Sequence, residues 1–348
     1  MKTIRIVAAL AAVSAAPAYA DHVGPGGVGA GAGMNVFGPA TLDERQWAMG
    51  LRLLFTRPEQ RTDAELEDLA GQHIHAHNTD YNLNASVGAA YGVTHHLTLS
   101  AELPYLRREG LREGEHSHSG GVTTNEVVPL GNVSGIGDLS LLAKYRVTEG
   151  DGAGFALVGG IKVPTGSTGA TSLDGERLET EHQPGTGSWD PIIGASASVP
   201  LGAATLTASA LYQFSTMGAQ RTRLGDRLQG GIALSHRFGA APHEHAEEHH
   251  HHDDGGEPHE HHHEHQHAHS SWDGFVELAG EWEGRQVVDG ETEAASGGAW
   301  VWVAPGVRFN AASGWSAAAA VAMPIWQDLR ASHPDNRFRL MLSLGRAF

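Results

Sequence analysis

Twelve stretches of this chain alternate apolar and polar side chains with a period of two, and that rhythm limits the fold more than any other feature. A period of two marks a strand with one apolar face. The stretch 337–348 shows it most plainly. Phe338, Leu340, Leu342, Leu344 and Phe348 share one parity, and Arg337, Arg339, Ser343 and Gly345 share the other. A strand of this kind has edges that need partners. Eleven further stretches can supply them, over 45–56, 81–92, 96–107, 138–147, 154–164, 189–199, 205–216, 227–238, 272–283, 300–310 and 315–329. The count is even, and short connections at 93–95, 149–152, 200–202 and 312–314 alternate with longer ones. Outer-membrane barrels are built this way, with short periplasmic turns and longer outer loops.

The expected fold is therefore all-β: a transmembrane antiparallel β-barrel of 12 strands with both termini periplasmic. Trp47, Trp272, Trp282, Trp300 and Phe348 lie near strand ends, where aromatic girdles belong. A soluble sandwich is the competing reading of the last strand alone, but it does not require hairpins with such unequal loops. Pro104, Pro164, Pro305 and Pro324 fall within or at the ends of strands and remove ladder donors. Pro305, in mid-strand, marks either an expected bulge or a misplaced strand boundary.

The first twenty residues read as a secretory signal. Lys2 and Arg5 are followed by the apolar stretch 6–13 and the small-x-small site Ala18-Tyr19-Ala20, so the mature chain is expected to begin at Asp21. There is no cysteine, so an exported chain must draw its stability from something other than disulfides. No run of 18 apolar residues follows the signal, which excludes a helical span but not barrel strands. The expected organisation is a signal peptide at 1–20, a flexible amino-terminal arm at 21–43, and an outer-membrane barrel over 44–348. The barrel is interrupted by a disordered, His-rich periplasmic turn at 242–270. A formal net charge of -17 argues against nucleic acid as a partner. Outer-membrane lipid is the expected surroundings.

The His-rich turn contains His243, His245, His249, His250, His251, His252, His259, His261, His262, His263, His265, His267 and His269 among Glu and Asp residues. Neutral imidazole is the commonest metal ligand and suits zinc, copper and nickel. The spacing is redundant and carries no pattern that fixes one geometry, so several exchanging sites for a divalent transition metal are expected. A periplasmic metal-handling partner would fit there. His73, His75 and His77 recur at i, i+2, which could place all three on one side of an extended segment as an outer capture site. No cofactor is required, and no catalytic motif nominates an enzyme.

By parity the lumen should receive Arg52, Glu102, Asp138, Lys144, Arg146, Lys162, Arg227, Gln229, Arg237, Asp273, Glu277 and Glu281. The same charges facing lipid would be costly. They could line a water-filled path or pair across a narrow interior. The acidic group on the strand over 272–283 adjoins the His-rich turn and would meet a cation leaving the lumen.

Three phrases in order carry a resemblance. Gly135-Ile136-Gly137-Asp138-Leu139 precedes Ala143-Lys144-Tyr145-Arg146; Gly160-Ile161-Lys162-Val163-Pro164-Thr165-Gly166 follows; His182-Gln183-Pro184-Gly185-Thr186-Gly187-Ser188-Trp189-Asp190 comes last. Together they resemble the outer-membrane channel-like family associated with meta-pathway phenol degradation. The resemblance implies an outer-membrane barrel that passes small hydrophobic or aromatic solutes, and it implies no catalytic residues. The His-rich turn is an expected departure from that family's pattern. The expectation that follows from the residues is a passive outer-membrane channel for divalent metal ions or small metal complexes. The alternatives are a channel for small hydrophobic or aromatic compounds, or a metal-sequestering protein that transports nothing.

Overall fold

The computed structural model describes residues 32–119, 122–150, 153–238 and 270–348. The signal segment, the arm before residue 32 and all thirteen histidines of the 242–270 turn lie outside the described residues.

Twelve strands form the wall: β1 (Trp47–Pro58), β2 (Tyr81–Thr94), β3 (Leu97–Ser119), β4 (Leu139–Gly150), β5 (Ala153–Val163), β6 (Asp190–Leu201), β7 (Ala204–Gln213), β8 (Arg227–Phe238), β9 (Ser271–Glu283), β10 (Gly298–Asn310), β11 (Trp315–Leu329) and β12 (Asn336–Ala347). Each pairs antiparallel with its neighbours in sequence. The barrel closes by β1 against β12, from Ala48↔Ala347 to Arg57↔Phe338. Closure leaves no unpaired edge, which is the condition for a sheet in hydrocarbon. One parity on each strand is exposed and apolar, as in Leu51, Leu53, Val276, Leu278, Leu340 and Leu342. The other parity is buried and holds charged, small and aromatic side chains.

The start of β1, the end of β12 and the tight connections lie at one end of the barrel, called here the turn end. β8 and β9 also meet there, with Phe238 opposite Trp272. The opposite, loop end is built up. β3 runs on beyond the wall and pairs with a return strand, Val122–Ile136, to form a projecting hairpin. This replaces the connection left between the alternating stretches 96–107 and 138–147. The connection after β1 is likewise not a plain loop, because it contains helix α1, Asp63–Gly71. Thr62 and Glu65 form a reciprocal capping box at its start, and Leu66 and Ala70 bury its apolar side. Gly114 of the hairpin lies directly against the Leu66 carbonyl.

Two local expectations are corrected. The bulge is not at Pro305, which stays in register opposite Val276. It falls on β11 at Pro324–Trp326, opposite Val301 and Trp302. Trp300 does not join an outer girdle, because it packs against a buried cluster inside the barrel. Trp47, Trp272, Trp282 and Phe348 do face outward.

Candidate functional site

The interior is organised around a segment without periodicity. Residues 32–42 pack inside the barrel, with Met34, Val36, Phe37 and Leu42 buried. The expected flexible arm is therefore ordered from residue 32 onward. Its backbone polar groups explain why. Buried there they need hydrogen-bond partners, and Glu277 of β9 takes three of the N–H groups. Its Oε2 accepts from the backbone N–H of Met34 at 2.7 Å, Asn35 at 2.8 Å and Val36 at 3.1 Å. Glu277 is fully buried. Arg308 Nη2 donates to the Gly33 carbonyl at 2.8 Å, and Arg52 Nη2 to Asn35 Oδ1 at 2.9 Å. Lys144 Nζ reaches the Gly38 carbonyl at 3.2 Å, and Thr98 Oγ1 accepts from Leu42 N–H at 2.9 Å. The approach requires glycine at 33, where a Cβ would stand 2.0 Å from Glu277 Oε2.

Most of the other charges named from parity are paired. Asp138, Lys162 and Asp190 form a buried node near the loop end, with Lys162 Nζ 2.8 Å from Asp138 and 3.0 Å from Asp190. Asp138 also accepts from the backbone N–H of Gly166 and Thr186, both at 2.9 Å. The three resembling phrases thus converge on one carboxylate. Glycine is needed where two of them cross, because Gly166 and Gly185 pack backbone to backbone. Arg237 pairs with Asp273 at 2.8 Å at the turn end, and Asn310 Nδ2 donates to the same carboxylate. Glu281 pairs with Arg339, and Arg227 lies 3.6 Å from Glu283. Arg146 Nη2 donates to the His95 carbonyl at 2.8 Å. Glu102 is half-buried on β3, in register with Gly88 and Ser140. Gln229 is exposed on β8. Sequence reasoning passed over Arg308, Arg339 and Asp190. The parity of Arg339 on β12 was visible, but its partner Glu281 lies three strands away in the wall.

One side of the interior is apolar. Phe275, Trp302, Ala304, Ala318, Ala320, Ala322 and Met341 form a buried cluster, with Trp300 against it and Met34 of the arm seated on it. Arg339 stacks over Trp302 at 4.5 Å. The indole Nε1 groups of Trp300 and Trp302 are buried and donate no hydrogen bond among the described residues. Outside the same wall lies an apolar depression of about 790 Å³, lined in part by Leu234, Val276, Val307, Val321 and Leu340.

The histidines at 73, 75 and 77 take different partners. His73 follows the end of α1 with φ +61°, which turns the chain out of an extended path. Its ring meets His116. His75 lies 3.2 Å from Glu113, whose hydrogen bond pushes the imidazole up to about 9. His77 points inward to a cluster that the spacing could not reveal. Its Nδ1 is 3.5 Å from Glu181, and its Nε2 is 3.1 Å from His333 Nδ1. Glu181 and His182 sit on a short 3₁₀ turn, Thr180–His182, with His182 Nε2 3.6 Å from Glu181. Burial pushes Glu181 up to about 8 and holds His182 down at about 3.

A closed twelve-stranded wall, an apolar belt outside and a paired interior define an outer-membrane β-barrel protein. The chain belongs to the family described as "Putative MetA-pathway of phenol degradation", whose pattern matches residues 61–269. The barrel is similar to the crystal structure of an outer membrane channel from Pseudomonas putida F1, at 16% identity and a TM-score of 0.53, over 89% of this chain and 97% of that one. Looser likenesses are to a deletion mutant of the monoaromatic hydrocarbon channel TodX (10% identity, TM-score 0.43, 89% and 93% coverage) and to the beta domain of the Bordetella autotransporter BrkA (9%, 0.42, 88% and 100%). No curated protein matches the chain. The protein is a resident of the bacterial outer membrane.

Proposed function

We propose that this barrel is a passive outer-membrane channel for small hydrophobic or aromatic compounds. The observation that carries the reading is the apolar inner wall. Phe275, Trp300, Trp302 and Met341 offer ring and thioether surface, and two indole N–H groups there are buried without an acceptor among the described residues. Unpaired buried donors are costly, and a phenolic or carbonyl oxygen on an aromatic solute would relieve that cost. The family's phenol-degradation description supports the same class of cargo. A divalent metal as the main cargo, the expectation that the histidines first suggest, fits the interior less well. Asp273 and Glu281 are paired with arginines, and Glu277 is taken up by the arm, so β9 offers no free acidic path. The loop end would face outward and the turn end the periplasm. The arm on the apolar wall is the resting obstruction, and Met34 stands where a solute would pass.

Passage of phenol, toluene and zinc into lipopolysaccharide-bearing outer-membrane vesicles tests this. The wild-type protein should speed phenol and toluene over protein-free vesicles, and Trp302→Ala should slow them. Equal phenol entry with and without the protein overturns the proposal, and zinc entry outpacing phenol returns the metal reading to first place.

A further inference from the structure

We propose that His77, Glu181 and His182 form a site for one divalent transition-metal ion, with zinc the best match, and that this ion clasps three loops together at the loop end of the barrel. His77 lies between β1 and β2, Glu181 and His182 between β5 and β6, and the supporting His333 between β11 and β12. Their donor atoms converge although the residues are far apart in sequence. One ligand atom each from His77, Glu181 and His182 lies within 4.8 Å of the others.

The distances suit a metal. Two ligands at about 2.0–2.1 Å from a tetrahedral zinc stand about 3.4 Å apart. His77 Nδ1 to Glu181 Oε1 is 3.5 Å, and His182 Nε2 to Glu181 Oε1 is 3.6 Å. Two imidazoles and one carboxylate form a recurring zinc ligand set that leaves a fourth position open.

Two further observations point to a ligand. His182 is only 2% exposed, and its Nε2 is buried without any hydrogen bond among the described residues. Such a nitrogen is costly unless something occupies it. The second is the other nitrogen of His77. With Nδ1 given to the ion, Nε2–H donates to His333 Nδ1 at 3.1 Å. A ligating histidine normally has its second nitrogen held in this way, which fixes the ring and its tautomer. His333 is therefore a positioning residue.

The surrounding backbone is already tied down. His77 N–H donates to the Ser332 carbonyl at 3.2 Å, Arg108 Nη1 donates to the His182 carbonyl at 2.9 Å, and Arg61 Nη2 donates to the His333 carbonyl at 2.7 Å. The donors are thus held near their final positions before the ion arrives, so little ordering opposes binding. The ion would lock the third loop, which also carries the Asp138-binding phrase, to the first and last loops.

Hydrogen exchange of the full-length protein in detergent, with zinc sulfate or with chelator, tests the clasp apart from any metal bound at 242–270. At free zinc about 100 times Kd, exchange at residues 76–78, 180–183 and 332–334 should slow by about 100-fold. His182→Gln and Glu181→Gln should each abolish that protection and still run as folded, heat-modifiable barrels. Crystals soaked in zinc should show an anomalous peak between His77 Nδ1, Glu181 Oε1 and His182 Nε2. The clasp is overturned if wild-type exchange at the three loops is the same with zinc as with chelator. It is also overturned if a folded Glu181→Gln variant keeps the full protection.

Discussion

Glu277 and Glu181 are two deeply placed carboxylates in the same barrel with opposite surroundings. Glu277 faces protein donors: three backbone N–H groups of the arm converge on one of its oxygens. Glu181 faces imidazole nitrogens at 3.5 and 3.6 Å, and no hydrogen bond reaches its carboxylate among the described residues. The first is a closed lock, satisfied by the chain itself. The second is a socket that a cation would complete. Burial alone therefore does not say what a carboxylate is for; the identity of the atoms aimed at it does.

Removing each partner in turn should separate the two. Glu277→Ala should have the largest effect, at about 3–5 kcal/mol, because it strands three buried N–H donors and nearby arginine charge. The arm should then leave the lumen, which would show as raised single-channel conductance in planar bilayers and protease cleavage before residue 43. An unchanged conductance would mean that the arm does not depend on this lock. Lys162→Met should cost about 2–4 kcal/mol in guanidinium unfolding from lipid. The loss is smaller because Asp138 keeps the Gly166 and Thr186 N–H donors and Asp190 keeps Thr216. A cost below that of an exposed ion pair would place the node outside the stabilising contacts.

Gly33→Ala perturbs the lock without touching its charge. A Cβ 2.0 Å from Glu277 Oε2 must shift either that carboxylate or the arm, at about 1–3 kcal/mol. Arm cleavage intermediate between wild type and Glu277→Ala is the expected result, and wild-type resistance would show that the arm can shift to accept the methyl. The smallest effect is expected from Glu181→Gln in chelator, under about 1 kcal/mol, since no donor is lost. A melting shift as large as that of Lys162→Met would show that Glu181 already has a strong partner without metal, and the contrast with Glu277 would fail.

Most of the wall was legible because β-barrel strands declare themselves locally. The twelve alternating stretches match the twelve strands to within a few residues at most ends, and Leu340 and Leu342 flank buried Met341 as parity requires. The extension of β3 was the main exception. Residues 108–119 are rich in charge, Gly and His, and they form strand because the return strand Val122–Ile136 pairs with them. Helix α1 did leave a local sign, since Thr62 and Glu65 stand at capping-box spacing. The arm left none. Its order depends on Glu277, 243 residues beyond Met34.

The candidate sites divide in the same way. That Asp138, Lys162 and Glu277 occupy the non-lipid parity follows from period two, because a charge on the other face would meet hydrocarbon at about 2–4 kcal/mol for a basic residue at mid-membrane. Which charge pairs with which does not follow. Arg339 finds Glu281 and Lys162 finds Asp138 across strands, while Arg52 turns to Asn35 of the arm. The i, i+2 spacing of His73, His75 and His77 suggested one site, but the three rings meet His116, Glu113 and Glu181 in turn. Local alternation specifies the barrel, its strand count and its lipid-facing side, because alternation is a property of neighbouring residues. The arm's place in the lumen and the meeting of His77 with Glu181 and His182 arise from long-range packing instead. The Glu277 lock and the His77–Glu181 contact join segments about a hundred residues or more apart, and closure of the barrel is what brings them within bonding distance.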